Sequence, residues 1–309
     1  MRRALSVVAA VAALASVGGC ASGRSEPGLT KVLMIGNSFS ISCLQHLPKV
    51  AESCGVGLDL ASLYIGGCSM ERHWSNIEKA DGDPSYRPYR YDRYKRGSLV
   101  EKGVRNIQET LASVPWDIVT IQQASHESIK TETFSPFGDK LVATIRKYAP
   151  QAKVVVQETW SYTPWDKRLA KWGITQDEMY AKLHAAYGSF AKGHGFAVIP
   201  MGTAVQEWRR RLPVKYTENS FGGDVVGGRG QAARDRFKRT ADNKWVPNCD
   251  VFHLNGRGAY LQALVWAAAL FDDVDFEKMD YRPDFVTEAD AKLMREIAVE
   301  LGRSSKNML

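Results

Sequence analysis

The residue with the clearest chemical opportunity early in the chain is Ser38, in Gly36-Asn37-Ser38-Phe39-Ser40. It follows the apolar run Lys31 to Ile35, which reads as a short strand, and precedes a segment of helical spacing. A serine in such a turn points its hydroxyl outward. The free N–H groups and positive dipole end of the next helix suit an oxyanion forming on an attacked carbonyl. Gly36 lets the chain turn sharply. The pattern differs from the Gly-x-Ser-x-Gly elbow, because Ser40 stands where the second glycine would be. A serine here also serves as an ordinary helix cap, so the assignment needs a partner. Asp250-Val251-Phe252-His253 supplies one. A spacing of three within one turn brings the Asp250 carboxylate to His253 Nδ1 and leaves Nε2 to take a serine proton. His253 also precedes a helix opening at Asn255, whose dipole disfavours a charged imidazole.

Two further strand ends offer polar groups. Gly66-Gly67, after the strand Leu58 to Ile65, can present a backbone N–H to Ser38. Gln122-Gln123-Ala124-Ser125-His126-Glu127, after the strand Asp117 to Gln122, offers carboxamides, although a strand-end glutamine also caps backbone routinely. Trp74, Trp160, Tyr162 and Trp165 lie near strand ends, and aromatic faces suit sugar rings. His126, Trp160 and Tyr162 are the expected substrate contacts, with core packing as the competing use of the aromatics. The Tyr/Arg stretch 86–96 would suit an acidic polysaccharide. His73, His126, Asp250 and His253 could gather around a metal, but no pair has the helix-borne spacing of His-Glu-x-x-His. No metal and no cofactor are expected.

These residues must be positioned by an ordered frame. Strands are expected at 31–35, 58–65, 117–122, 153–157 and 196–200. Helices are expected at 41–54, from Ser69, and at 99–113, 137–148, 175–192, 255–271 and 287–301. Capping boxes open two of them, Thr175 with Glu178 and Thr287 with Asp290. The Tyr/Arg-rich segment near 80–97 and the Gly/Arg/Asp-rich segment 213–248 read as loop insertions. The 213–248 insertion would form a lid or a cleft wall. Alternating strands and helices predict an α/β fold, with about five parallel strands covered on both faces, in one domain over 30–305. Ligands in such sheets bind beyond the carboxyl ends of the strands, where all four segments fall.

The set of blocks resembles the SGNH (GDSL-like) hydrolase superfamily, and most closely its DUF4886 branch with a Gly-Asn-Ser-Phe-Ser first block. Tyr64-Ile65-Gly66-Gly67-Cys68-Ser69 resembles the second block and Gln122 to His126 the third. Gln157 to Tyr162 resembles a further strand-end motif, and Asp250 to Asn255 the last. The resemblance runs over about residues 31–272. It implies a flavodoxin-like three-layer fold. It also implies Ser38 as nucleophile, His253 as base, Asp250 as its orienting acid, and the N–H groups of Ser38 and Gly67 as oxyanion donors. The superfamily's Gly-x-Asn-Asp block is absent. Direct register puts His126 at the position of its asparagine donor, and Gln123 is the other candidate, amide for amide. The superfamily removes acyl groups from lipids, sugars and other alcohols. The expected activity is therefore a carbohydrate esterase, and more narrowly a deacetylase. The alternatives are a lipase- or thioesterase-type hydrolase and a surface glycan-binding protein without turnover.

The start of the chain reads as a targeting segment. Arg2 and Arg3 precede the apolar run Ala4 to Ala15, too short for a spanning helix, and Val17-Gly18-Gly19-Cys20 resembles a bacterial lipobox. Residues 1–19 would be removed, Cys20 would carry lipid, and 20–29 would form a tether holding the protein at the bacterial cell envelope. Loss of the two arginines lowers the formal charge from +7 to +5. Acidic residues accompany the basic ones along the chain, and no nucleic-acid motif is present, so the expected partners are a membrane and an acylated glycan or other ester. Export permits disulfides. Cys43 and Cys54 lie too far apart along one expected helix to bond. Cys68 and Cys249, each beside a candidate site segment, are the expected pair, with two buried thiols as the alternative.

Overall fold

A computed structural model of the chain describes residues 28–212, 216–217, 219–228, 237–272 and 274–306. The expected leader, Cys20 and most of the tether lie outside the described residues, as do parts of the 213–248 insertion.

A seven-stranded sheet runs through the molecule in the order β4-β3-β2-β1-β5-β6-β7. Its strands are β1 Thr30–Gly36, β2 Leu58–Tyr64, β3 Tyr89–Lys95, β4 Ser98–Arg105, β5 Ile118–Ile121, β6 Lys153–Gln157 and β7 Ala197–Ile199. β1, β2, β5, β6 and β7 are mutually parallel. Counted alone they follow the flavodoxin-like order 2-1-3-4-5, as expected. The order reverses beside β1, so the crevice of this topology opens next to Ser38. The parallel strands are short apolar runs, as strands covered on both faces require.

The helices are α1 Ser38–Ile41, α2 Leu47–Ser53, α3 Met70–Gly82, α4 Ile107–Ser113, α5 Phe137–Tyr148, α6 Lys167–Trp172, α7 Gln176–His194, α8 Met201–Arg211, α9 Gly256–Leu270 and α10 Glu288–Lys306. α9 packs between α2 and α10, while α3, α4 and α5 form a second group. Every residue of α9 from Gly258 to Ala269 is buried, as its sequence, apolar but for Gln262, requires. The capping box of α7 closes as expected, with Thr175 and Glu178 each bonding the other's backbone N–H.

Three expectations need correction. The segment 80–97 is not a loop insertion: it holds the end of α3 and all of β3. Residues 98–105 are strand rather than the first half of a helix. β3 and β4 form an antiparallel hairpin that extends the sheet beyond β2. The physical reason lies in the alternation Tyr89-Arg90-Tyr91, which buries both tyrosines and exposes the arginine, a strand period of two. Arg96 and Gly97 turn the hairpin, both with positive φ (46° and 76°), as a type I′ turn needs. Third, the helix expected at 41–54 is broken. α1 ends at Ile41, a 3-10 turn covers Ser42–Gln45, and α2 starts at Leu47 with Pro48 in its first turn. Within the 213–248 insertion, a small hairpin pairs β8 Phe237–Arg239 with β9 Trp245–Pro247.

Candidate active site

β1 delivers Ser38 to the carboxyl edge of the sheet. Asn37 caps α1, its side-chain oxygen accepting from Phe39 N–H at 3.0 Å while its amide donates to the Cys68 carbonyl at 2.9 Å. One asparagine thus locks the turn and ties it to the second strand-end segment. Gly36 lies in β1 itself. A side chain there would collide with Ser40 and come within 3.4 Å of Gln122, so close approach, rather than a sharp turn, demands glycine. α1 has only four residues, so individual N–H groups rather than a helix dipole serve this turn. Neither Ser38 N–H nor Gly67 N–H donates to a protein acceptor among the described residues. Gly67 is exposed and sits at φ 61°, which few other residues would adopt.

The chain's far end meets this turn. Ser38 Oγ lies 2.8 Å from His253 Nε2, across 215 residues of sequence. His253 Nδ1 bonds the Asp250 carboxylate. The other Asp250 oxygen accepts from the backbone N–H groups of Phe252 at 2.9 Å and His253 at 2.8 Å. Partial burial pushes the Asp250 carboxyl up. Hydrogen bonds from the His253 ring and from the two N–H groups outweigh burial and hold it below the usual carboxylate range. Asp250 therefore stays ionised and fixes the imidazole with its proton on Nδ1.

The loop bearing Asp250 and His253 is held from three sides. Gly227 N–H donates to His253 O and Gly228 N–H to Asp250 O, both at 2.8 Å. Asn255 caps α9, and its amide reaches the carbonyls of Asp224 and Gly227. The described part of the insertion thus braces the loop, a role beyond the lid or cleft wall expected of it. Asp224 is itself anchored in a fully buried pair with Arg209 at 2.9 Å, joined by Tyr216 Oη at 2.6 Å, while Arg209 Nη1 bonds Ser161 Oγ at 2.7 Å. Asp224→Ala would leave the Arg209 charge buried and unpaired. It is expected to destabilise the fold by about 3–5 kcal/mol, read as a shift in the urea midpoint. Full stability in the variant would show that the pair is not a brace.

Aromatic packing sets the imidazole plane. Phe39 stacks on Trp160 with ring centroids 4.1 Å apart, and Phe252 lies 4.1 Å from the His253 ring. Trp160 Nε1 donates to Phe252 O at 2.9 Å, and the Arg168 guanidinium covers Tyr162 at 4.0 Å and Phe252 at 4.3 Å. Trp160 and Tyr162 are both fully buried, so neither offers a face to a sugar ring. They support the His253 loop instead, which corrects the expected substrate contacts. Trp165 packs edge-on against Tyr216, Phe221 and Phe237 of the insertion. His126 is 45% exposed and stands beside Glu127, so it remains accessible.

Gln123 is engaged elsewhere. Its oxygen accepts from Met70 N–H and Ala124 N–H, and its amide donates to the Thr133 carbonyl at 2.8 Å. With the side chain 1% exposed, it knits β5 to α3 rather than facing a substrate oxygen. The residues missed in the sequence are its neighbours. Gln122 donates to Asn37 Oδ1 at 2.5 Å, Gln157 to Gln122 at 2.6 Å and Gln262 to the Phe39 carbonyl at 2.7 Å. Ser42 Oγ completes the chain by donating to Gln262 at 2.6 Å. This buried network fastens the Ser38 turn to β5, β6 and α9. A signal was present: Gln262 interrupts an otherwise apolar helix, and Gln122 and Gln157 end apolar strands. A buried carboxamide needs partners.

Cys68 does not bridge to Cys249. It is buried, 3.5 Å from His73 Nδ1, and burial pushes its thiol up to about 12. His73 is fully buried, bonded to Tyr89 Oη at 2.9 Å, and burial lowers it to about 3. Among the described residues, no three His, Cys, Asp or Glu side chains gather as a metal site would require.

Residues 31–224 match the family described as Domain of unknown function (DUF4886), and the chain belongs to that family. The crystal structure of a DUF4886 family protein from Bacteroides uniformis is similar at 26% identity and a TM-score of 0.67, over 88% of this chain and 94% of that one. An acetyl xylan esterase aligns at 13% identity and 0.48, over 78% and 100%. A lipase/acylhydrolase from Enterococcus faecalis aligns at 13% and 0.41, over 76% and 92%. No curated protein matches the sequence significantly.

Proposed function

We propose that the protein is a serine esterase of the SGNH type that removes an acyl group, acetyl in the first instance, from a carbohydrate. The observation that carries this reading is the contact of 2.8 Å between Ser38 Oγ and His253 Nε2, with Asp250 on the other ring nitrogen. His253 Nε2 takes the hydroxyl proton as Ser38 Oγ attacks the ester carbonyl carbon. Ser38 N–H and Gly67 N–H receive the charge that develops on the carbonyl oxygen. The imidazolium then returns the proton to the departing sugar oxygen. Water repeats the sequence to release the acid and free Ser38. No cofactor or metal enters these steps. His126 is the remaining candidate for a third donor or a substrate contact. A lipase reading is disfavoured by the charged cleft beside Ser38, which includes Arg90 and Asp92. Export and lipid attachment at Cys20 belong to the same proposal, and place the substrate among the glycans of a bacterial cell envelope. The test is acetate release from a panel of acetylated glycans. Release from at least one member is expected. Fluorophosphonate labelling of Ser38 with no acetate release from any member would shift the reading to another acyl group. Folded protein that neither labels nor turns over would favour a glycan binder.

A further inference from the structure

A cleft of about 310 Å³ opens directly beside the nucleophile. Ser38, Ile41, Ser42, Leu44 and Gln45 form one wall, and Tyr64, Arg90, Asp92 and Tyr94 the other. The second wall is built by the β2–β3 pairing. Arg90, Asp92 and Tyr94 share one face of β3 by strand alternation, and Arg90 sits directly opposite Tyr64 at the carboxyl end of β2. The antiparallel extension of the sheet therefore supplies half of the cleft.

Arg90 is held as a receptor would be. Its Nε donates to Asp92 Oδ2 at 2.9 Å, and its guanidinium lies over the Tyr64 ring at 4.5 Å. Asp92 is buried, whereas the Arg90 side chain is 53% exposed. Both Nη groups donate to no protein acceptor among the described residues. One edge of the guanidinium is thus fixed by a carboxylate and one face by a ring, while the Nη edge is left without a protein acceptor on a residue that lines the same cleft as Ser38. An open guanidinium edge matches the two oxygens of a carboxylate and is already oriented before the ligand arrives.

We propose that Arg90 is a specificity residue for a carboxylate on the alcohol side of the ester, so that the preferred substrate is an acylated acidic sugar such as a uronate. This rests on the hydrolase reading above. Asp92 and Tyr64 are its positioning residues. A neutral sugar would leave the Nη edge to water and gain nothing from it.

Two acetylated oligosaccharides test the assignment, one of galacturonate and one of xylose. The wild-type protein is expected to favour the acidic one in kcat/KM by roughly ten- to a hundredfold, the size of hydrogen bonds to a charged group. Arg90→Gln should bring that ratio close to one, and Arg90→Lys should restore part of it. An unchanged thermal midpoint would establish that both variants fold. Equal kcat/KM on the two substrates in the wild-type protein, or the same preference in Arg90→Gln, overturns the role of Arg90 and leaves the hydrolase reading untouched. Calorimetric binding of the same oligosaccharides to Ser38→Ala, with and without Arg90→Gln, separates recognition from turnover. Arg90-dependent binding of the acidic sugar without hydrolysis of any ester would sink the hydrolase reading and keep the recognition site.

Discussion

Ser38→Ala is expected to lower kcat/KM for ester hydrolysis by roughly a millionfold, the scale seen when a triad serine is removed. In the proposed mechanism the three side chains act as a unit, which makes the expected loss large. Without Oγ, the His253 Nε2 lone pair has no proton to take, and the Asp250 contact orients a base that activates nothing. Residual turnover would come from the oxyanion donors and from binding alone. The side-chain hydrogen bond of Ser38 Oγ is to His253. The turn around Ser38 is held instead by Asn37 and the buried glutamines. Thermal stability should therefore change little. The measurement is acetate release together with fluorophosphonate labelling of the wild-type protein and the variant. A variant that labels, or that keeps more than a tenth of the rate, would remove Ser38 as nucleophile.

Asp250→Asn should cost roughly ten-thousandfold in turnover, the size expected when the imidazole is held in the wrong tautomer. An asparagine oxygen can still accept from the backbone N–H groups of Phe252 and His253. Its NH₂ group would then face His253 Nδ1 and donate to it. The ring proton moves to Nε2, which points at Ser38 and can no longer accept. Because the backbone bonds survive, the fold should stay nearly as stable as in the wild-type protein. Activity profiles with thermal unfolding on the same samples separate the two effects. A variant within tenfold of the wild-type rate would mean that Asp250 does not set the tautomer. A variant that loses its fold along with its rate would make Asp250 a structural anchor of the loop.

Asp250 and His253 were legible because both lie in one turn, and a spacing of three is a local property. The capping box at Thr175 and the apolar parallel strands were legible for the same reason. The hairpin of β3 and β4 was obscured by its composition. A run of tyrosine and arginine suggests loop chemistry, although the alternation Tyr89-Arg90-Tyr91 carries a strand period. Its turn, Arg96-Gly97, lacks the asparagine or aspartate that usually announces positive φ at both positions. The engagement of Gln123 is not legible in the sequence, because residue type cannot tell whether an amide is free. Three backbone groups from Met70, Ala124 and Thr133 claim it. Trp160 and Tyr162 stand near strand ends as expected, but their rings turn inward under Phe39 and Phe252.

The amino-acid order alone determined the alternation of strands and helices, the chemical identity of Ser38, His253 and Asp250, and the family to which the blocks belong. Those features depend on residue type and on spacings of a few positions, which the backbone periods of helix and strand translate directly. Tertiary structure decided the rest. It brought Ser38 to within 2.8 Å of His253 across 215 residues. It made the insertion a brace through the buried Arg209–Asp224 pair and set β3 beside β2, so that Arg90 shares a cleft with Ser38. The physical reason is that burial and hydrogen-bond saturation are properties of a packed neighbourhood. Whether an amide, an indole or a guanidinium is free for a substrate depends on which distant residues have already engaged it.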